Sequence, residues 1–218
     1  MHTFTVGFLF AGLGAGARGF LQALAKLGKD EARFTNVGGV DIDAEACEDF
    51  EYLTGAKCAR HDVATMTPAQ LQAAMGERAP DALFLSPPCK GYSALLSKKS
   101  AAAPKYKKLN DLVYQGLFLA CETWESPPAL IVLENVPRIQ SRGKEQLAKV
   151  RQLLRHYGYE FHEATHDCGE IGGLAQHRLR YLLVARLPSN VPWYVYRPPL
   201  RPVKACGSVL ETLPMPED

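Results

Sequence analysis

The sequence predicts an α/β chain built on a doubly wound, mostly parallel, Rossmann-like sheet of seven strands with an antiparallel pair at one edge. Three observations predict it. Short apolar runs alternate with segments of helical character. A glycine-rich loop follows the first run, and beyond Gly158 two strand-like runs succeed each other with no helix expected between them. A chain of 218 residues is long enough for one such sheet and its core. We expect residues 1–187 to form one domain. Residues 188–218, where prolines 192, 198, 199, 202, 214 and 216 accumulate, are expected to form an irregular segment.

Residues 4–10 are the first strand, and the loop after it opens a helix expected over 17–27. Residues 35–40 form the second strand, which ends at Asp41. Asp43 suits the cap of a helix over 44–53. A weaker run at 56–59 is the third strand, and Thr67 with Pro68 at the first helical position starts a helix over 68–77. Ala82-Leu83-Phe84-Leu85 and Leu130-Ile131-Val132-Leu133 are the fourth and fifth strands, with a helix over 112–124 between them. A last helix over 144–157 stops at Gly158, and runs 159–165 and 180–185 make the antiparallel pair. The small residues at 100–104 suggest a mobile loop.

Charge is nearly balanced, 25 Lys and Arg against 23 Asp and Glu, so composition alone does not announce a nucleic-acid partner. Placement is more telling, because lysines 90, 98, 99, 105, 107 and 108 fall in a stretch that holds no carboxylate. The six cysteines (47, 58, 89, 121, 168, 206) show neither CxxC spacing nor clustering with histidines. That argues against a metal site and for a reducing, cytoplasmic setting. No apolar run approaches the roughly 20 residues that span a bilayer, so no membrane partner is expected. Residues 4–16 lack the basic start of a signal peptide.

Two runs end in reactive groups. Pro87-Pro88-Cys89 follows the fourth strand, and Glu134-Asn135-Val136 ends the fifth. If these strands are parallel neighbours, a thiol and a carboxylate share one cleft. The pair suits attack on an electron-poor ring, with Cys89 as nucleophile and Glu134 as acid. The plain alternative is a buried structural cysteine and a surface glutamate. The prolines fix the backbone at Cys89, and Lys90 with a helix start would favour the thiolate. The other five cysteines read as small hydrophobes.

Gly14-Ala15-Gly16-Ala17-Arg18-Gly19 matches GxGxxG after a strand, with Asp41 placed to take ribose hydroxyls. This marks an adenosine-type site and leaves open whether the cofactor carries a pyrophosphate. Asp62, after His61, suits either an adenine amino group or a plain turn. Gln176, Arg178 and Arg180 stand at the entry to the last strand, where alternation puts both arginines on one face. They are either an exposed basic strand end or a guanidinium fork that holds Glu134 and a substrate.

In this order and spacing, from residue 4 to about 187, the segments resemble the C5 cytosine DNA methyltransferase family. Phe10-Ala11-Gly12-Leu13-Gly14 is similar to its first motif, Asp41-Ile42-Asp43 to its second and Asp62-Val63 to its third. Pro87-Pro88-Cys89 with Tyr92-Ser93 is similar to the fourth, Glu134-Asn135-Val136 to the sixth, and Gln176-His177-Arg178-Leu179-Arg180 to the eighth. The resemblance implies S-adenosylmethionine as methyl donor, held by Phe10, Gly12, Leu13, Gly14, Val63 and Pro88. Asp41 would take the ribose, Ile42 would lie against the adenine and Asp62 would meet its amino group. Cys89 would add to C6 of a cytosine flipped out of double-stranded DNA while Glu134 protonates N3. Ser93, Asn135, Arg178 and Arg180 would complete the catalytic set, and the lysine-rich segment would close on phosphates.

Three positions depart from the family pattern. Lys90 replaces a frequent Gln, Ile42 a frequent aromatic, and Gly172-Gly173-Leu174-Ala175 precedes Gln176 where Gly-x-Pro is usual. Ser208-Val209-Leu210-Glu211-Thr212-Leu213-Pro214 is similar to the lead-in to the target recognition domain, and the ninth and tenth motifs are not in the chain. The expectation is a catalytic lobe, excised or half of a split enzyme, with little turnover alone and a second chain or C-terminal lobe for target recognition. Competing readings are a non-catalytic nucleic-acid or cofactor-binding subunit, an RNA cytosine methyltransferase, and an NAD-dependent oxidoreductase.

Overall fold

The structure, a computed structural model, describes residues 1–27, 30–92, 103–193 and 198–213. β1 (His2–Leu9) is an interior strand of the sheet, buried over its last four residues, as an interior parallel strand must be. It lies between β3 (Asp30–Asp41) and β5 (Ala82–Leu85), parallel to both. β6 (Leu130–Asn135) continues parallel to β5. Beyond it β8 (Leu179–Arg186) runs antiparallel to β6, and β7 (Glu160–Asp167) closes that edge antiparallel to β8.

At the other edge, β2 (Leu24–Leu27) pairs antiparallel with the first residues of β3, and β4 (Cys58–Arg60) pairs parallel with its last. Eight strands therefore fill seven positions of a mixed, mostly parallel sheet. β2 corrects the helix expected over 17–27, since α1 (Ala15–Gln22) stops early. The physical reason is that β1 pairs with β3 back to Ala32, so the outer backbone edge of residues 30–33 needs hydrogen-bond partners. Helical apolar spacing at Phe20, Leu24 and Leu27 loses to that pairing.

The remaining helices start where their caps dictate. Asp43 Oδ1 accepts from the N–H of Glu45 and Ala46 to begin α2 (Ala44–Thr54). Thr67 and Gln70 form a capping box at α3 (Pro68–Met75). α4 (Pro104–Glu122) begins eight residues before the expected position, because its first turns are too polar to show an apolar period. The short α5 (Ile139–Arg142) precedes α6 (Lys144–His156). A five-residue α7 (Cys168–Gly172) interrupts the antiparallel pair where no helix was expected, and α8 (Cys206–Leu210) is a single turn and a half in the proline-rich segment.

Helices α3, α4 and α6 cover one face of the sheet, burying Leu83, Leu85, Ile131, Leu133 and Leu183 against Leu71, Leu117, Val150 and Leu154. On the other face Ala17 of α1 and Phe50 of α2 cover only Val6, Phe8 and Ala82, with Phe20 packed edge-on and Phe84 tilted against Phe8. Coverage ends there, and Leu130, Val132, Leu182 and Val184 stay half-buried. Among the described residues no helix is long and apolar enough to cross a membrane.

Candidate active site

Strand register places the site. Leu9, Val40, Leu85 and Leu133 lie side by side across β3, β1, β5 and β6. The next residue on each strand, Phe10, Asp41, Ser86 and Glu134, therefore forms one rank along the carboxyl edge of the sheet, where open α/β sheets bind ligands. A cavity of about 1050 Å³ opens over this rank and is lined mostly by apolar side chains.

One wall is made by the loop after β1. Phe10 has φ 56°, the one positive value at a non-glycine residue among those described, and such backbone costs about 1–3 kcal/mol. Its ring is received by α4 at Gly116, where a Cβ would stand 2.9 Å from Phe10 Cε2. Asp41 braces the loop: Oδ2 accepts from Gly12 N–H at 2.8 Å and Oδ1 from Asp43 N–H at 3.1 Å. The N–H of Ala11 donates to Val40 O and that of Gly14 to Ala11 O. Leu13 and Ile42 are exposed above the cavity, and His61, Asp62, Val63 and Pro88 line it. Asp62 also accepts from Ala64 N–H, so the turn role and the cavity-facing role coexist.

The opposite wall is a side-chain network. Glu134 Oε2 accepts from Ser86 Oγ at 2.7 Å, and Oε1 lies 2.6 Å from Arg180 Nε. Both charged side chains are about one-fifth exposed, so the pair keeps water contact on the cavity side. Arg180 Nη1 donates to Leu179 O, which fixes the guanidinium along β8. Asn135 points to the other face, 2% exposed, with Nδ2 donating to Pro87 O and Oδ1 accepting from Val136 N–H. It ties the end of β6 to the Pro-Pro-Cys segment. Cys89 is half-buried at the start of a single 3-10 turn, with its carbonyl accepting from Tyr92 N–H. Its neighbours Ser86 and Pro88 line the cavity, whereas Cys89, Gly14 and Asn135 are not among the lining residues. Arg178 lines it from the turn before β8. Ser93 lies outside the described residues, as do Lys98, Lys99 and most of the loop expected at 100–104.

Two site residues escaped the sequence reading. Ser86, one residue before the double proline, was signalled only by its place at a strand end. Cys168 was read with the other cysteines as a small hydrophobe, yet it lines the cavity beside Glu134 and Arg180. Burial pushes its thiol up, against the pull of Arg180. Cys47 and Cys121 are buried, the latter pushed up to about 12 by burial, whereas Cys206 is exposed. Among the described residues no group of three His, Cys, Asp or Glu is placed to hold a metal ion.

Comparison with known families gives a match to the C-5 cytosine-specific DNA methylases over residues 4–200. The chain belongs to that family. Family membership implies S-adenosylmethionine and a nucleic-acid substrate. Among solved structures, this methylase-family chain is similar to the Dnmt2 methyltransferase of S. pombe at 18% identity and a TM-score of 0.61, over 96% of this chain and 55% of that one. It is similar to the Entamoeba histolytica methyltransferase EhMeth at 20% identity and a TM-score of 0.61, over 86% and 54%. A prophage-encoded E. coli protein described as a DNA modification methyltransferase aligns at 19% identity and a TM-score of 0.68, over 99% and 56%. The chain thus spans about half the length of the solved structures it matches. No curated protein matches it in sequence.

Proposed function

We propose that this chain is the catalytic lobe of an enzyme that transfers a methyl group from S-adenosylmethionine to C5 of cytosine in DNA, through a covalent adduct between Cys89 and C6. The observation that carries this reading is the rank Phe10, Asp41, Ser86, Glu134, which joins an adenosine-type cradle to a braced carboxylate on one edge of one sheet. The cradle suits an adenosyl group better than a dinucleotide. A pyrophosphate needs free backbone N–H groups, and those of Ala11, Gly12 and Gly14 already donate to Val40 O, the Asp41 carboxylate and Ala11 O. Asp41 and Asp62 would take hydroxyl and amino donors, and Phe10, Leu13, Ile42, Val63 and Pro88 would flank the cofactor's apolar surface. When bound, it supplies an electrophilic methyl group on a sulfonium.

The chain's own residues prepare the acceptor. The Cys89 thiolate forms a C–S bond at C6, electron density moves to N3, and N3 takes a proton from Glu134. C5 is then nucleophilic. C5 takes the methyl group as the donor's S–CH3 bond breaks to leave a neutral thioether. Solvent water accepts the C5 proton, the C6–S bond breaks with its electron pair returning to Cys89, and N3 gives its proton back to Glu134. Arg180 and Ser86 hold Glu134 toward the ring and stabilise the carboxylate left behind. The stacked base must leave the helix first, because a duplex covers both ring faces. Lys90 and Lys108, exposed near the cleft, would meet phosphates. A further stretch of polypeptide, in cis or as a second chain, would read the target. Its place is supported by the half-buried strip Leu130, Val132, Leu182 and Val184 and by the half-length match to solved structures.

The test is a covalent trap. With S-adenosylmethionine and duplex DNA containing 5-fluorocytosine, intact-mass spectrometry should find an adduct mapping to Cys89. Cys89→Ser should lose it and Cys168→Ser should keep it. An adduct that maps to Cys168, or one formed with RNA alone, would overturn the assignment. Calorimetry should show S-adenosylhomocysteine binding and no NAD binding.

A further inference from the structure

We propose that Asp167 is a positioning residue: it holds the turn at residues 176–178 so that Arg180 meets Glu134. The inference deepens the site reading above and rests on it. β7 and β8 pair with Asp167 opposite Leu179 and His166 opposite Arg180. Between them the chain passes through α7 and a turn with glycines at 169, 172 and 173, no proline, and Gly173 in the left-handed region at φ 63°. Such a stretch has little stiffness of its own. Yet it carries Arg178 and leads into Arg180, both of which line the cavity.

Asp167 supplies the stiffness. Its Oδ1 accepts from the N–H of Gly169 at 2.8 Å and from that of Arg178 at 2.9 Å, while Oδ2 lies 2.5 Å from His177 Nδ1. One carboxylate thus joins the start of the turn to its end. Cys168 N–H donates to Arg178 O in support. The two limbs run so close that a Cβ at Gly169 would stand 2.1 Å from Gln176 O. The Asp167 side chain is 11% exposed and lines no part of the cavity, whereas His177 covers it from the solvent side at 72%. The carboxyl is held below the ordinary range, first by Arg178 N–H and then by His177. Asp167 therefore acts through Arg178 and Arg180, on the partner that braces Glu134.

The Arg180 Nε–H resonance reads this directly in the 218-residue chain, with Arg180→Lys to assign it. No methyl donor or nucleic acid is needed, so absence of methylation leaves the test intact. In wild type the proton should exchange slowly. Asp167→Ala should speed exchange about tenfold or more, as expected on loss of two backbone hydrogen bonds. Asp167→Asn, whose Oδ1 still accepts both N–H groups, should restore most of the protection. If Asp167→Ala does not fold, His177→Gln carries the test and should speed exchange several-fold. Unchanged Arg180 exchange in a folded Asp167→Ala, or in His177→Gln where that arm is used, would overturn the positioning role even in an active enzyme.

Discussion

Against α3, α4 and α6 the sheet buries a cluster of 26 residues among those described, whereas the face under α1 and α2 buries five. β6 shows the contrast residue by residue. Ile131, Leu133 and Asn135 point to the helices and are at most 2% exposed, while Leu130, Val132 and Glu134 point the other way and stay half-buried. Phe84, Glu134, Arg180 and Leu182 share this second face, and the cavity lies along it. On the closed face a carboxylate and a guanidinium would lose their water and cost several kcal/mol per ion before pairing. On the open face they keep it. Alternation along one strand therefore separates the residues that hold the fold from those that act, and substitutions at neighbouring positions should have different consequences.

The sharpest separation is expected at Glu134. Glu134→Gln keeps the shape and can still hydrogen-bond to N3, but it cannot deliver a proton. Adduct formation in single-turnover trapping should slow by about 10² to 10⁴. Unfolding free energy should fall by no more than about 1 kcal/mol, because the ion pair with Arg180 is partly exposed. Equal damage to both quantities would break the division between the two faces.

Stability should show the reverse pattern one residue earlier. Leu133→Ala removes a fully buried side chain under α4 and α6 and should cost about 2–5 kcal/mol in urea unfolding. That is a large part of the 5–15 kcal/mol of a typical domain, here as an order of magnitude. Val132→Ala on the open face should cost roughly 1 kcal/mol or less, since part of its surface is already in water. Equal costs at the two positions would mean that something covers the open face in solution.

The closed face was also the more legible one. Its strands are short apolar runs, and α3 declares itself through Thr67 and Pro68, as α2 on the other face does through Asp43. Asp41 and Glu134 were readable at the site because each ends such a run. What escaped depends on long-range pairing. β2 forms because β3 has an edge to satisfy. Cys168 reaches Glu134 only because β7 and β8 fold back on β6, and Asp167 meets Arg178 only because α7 lies between them. No local period or motif encodes those meetings.

A finer probe of the boundary between the faces is Gly116. In the middle of α4, alanine is intrinsically better than glycine by about 0.5–1 kcal/mol. Here a Cβ would press on the Phe10 ring at 2.9 Å and on Leu85 Cδ2 at 3.1 Å. We expect Gly116→Ala to destabilise by about 1–3 kcal/mol and to weaken S-adenosylhomocysteine binding, because Phe10 must move. A more stable variant with unchanged binding would mean that Phe10 is free to shift.

The smallest effect belongs to the solvent-side pair of His177 and Asp167, and its sign follows from the two shifts. The Asp167 carboxyl lies below its ordinary value because Arg178 N–H and His177 favour the anion. Its contribution is therefore present above the unfolded value, about 3.9, and is lost as pH falls through the lower folded value. The His177 imidazole lies above its ordinary value because Asp167 accepts its proton, with Glu170 adding to the attraction. Its contribution is complete below the unfolded value, about 6.5, and is lost as pH rises through the higher folded value. The pair is thus complete between about pH 4 and 6.5. His166, lowered by burial, contributes in the opposite sense, since it resists protonation as pH falls. The wild-type minus His177→Gln difference in Tm removes that background. It should be largest near pH 5 to 6, shrink above about pH 7, and shrink again in strong acid. A difference that grows with rising pH would show that neutral His177, not the ion pair, holds the turn.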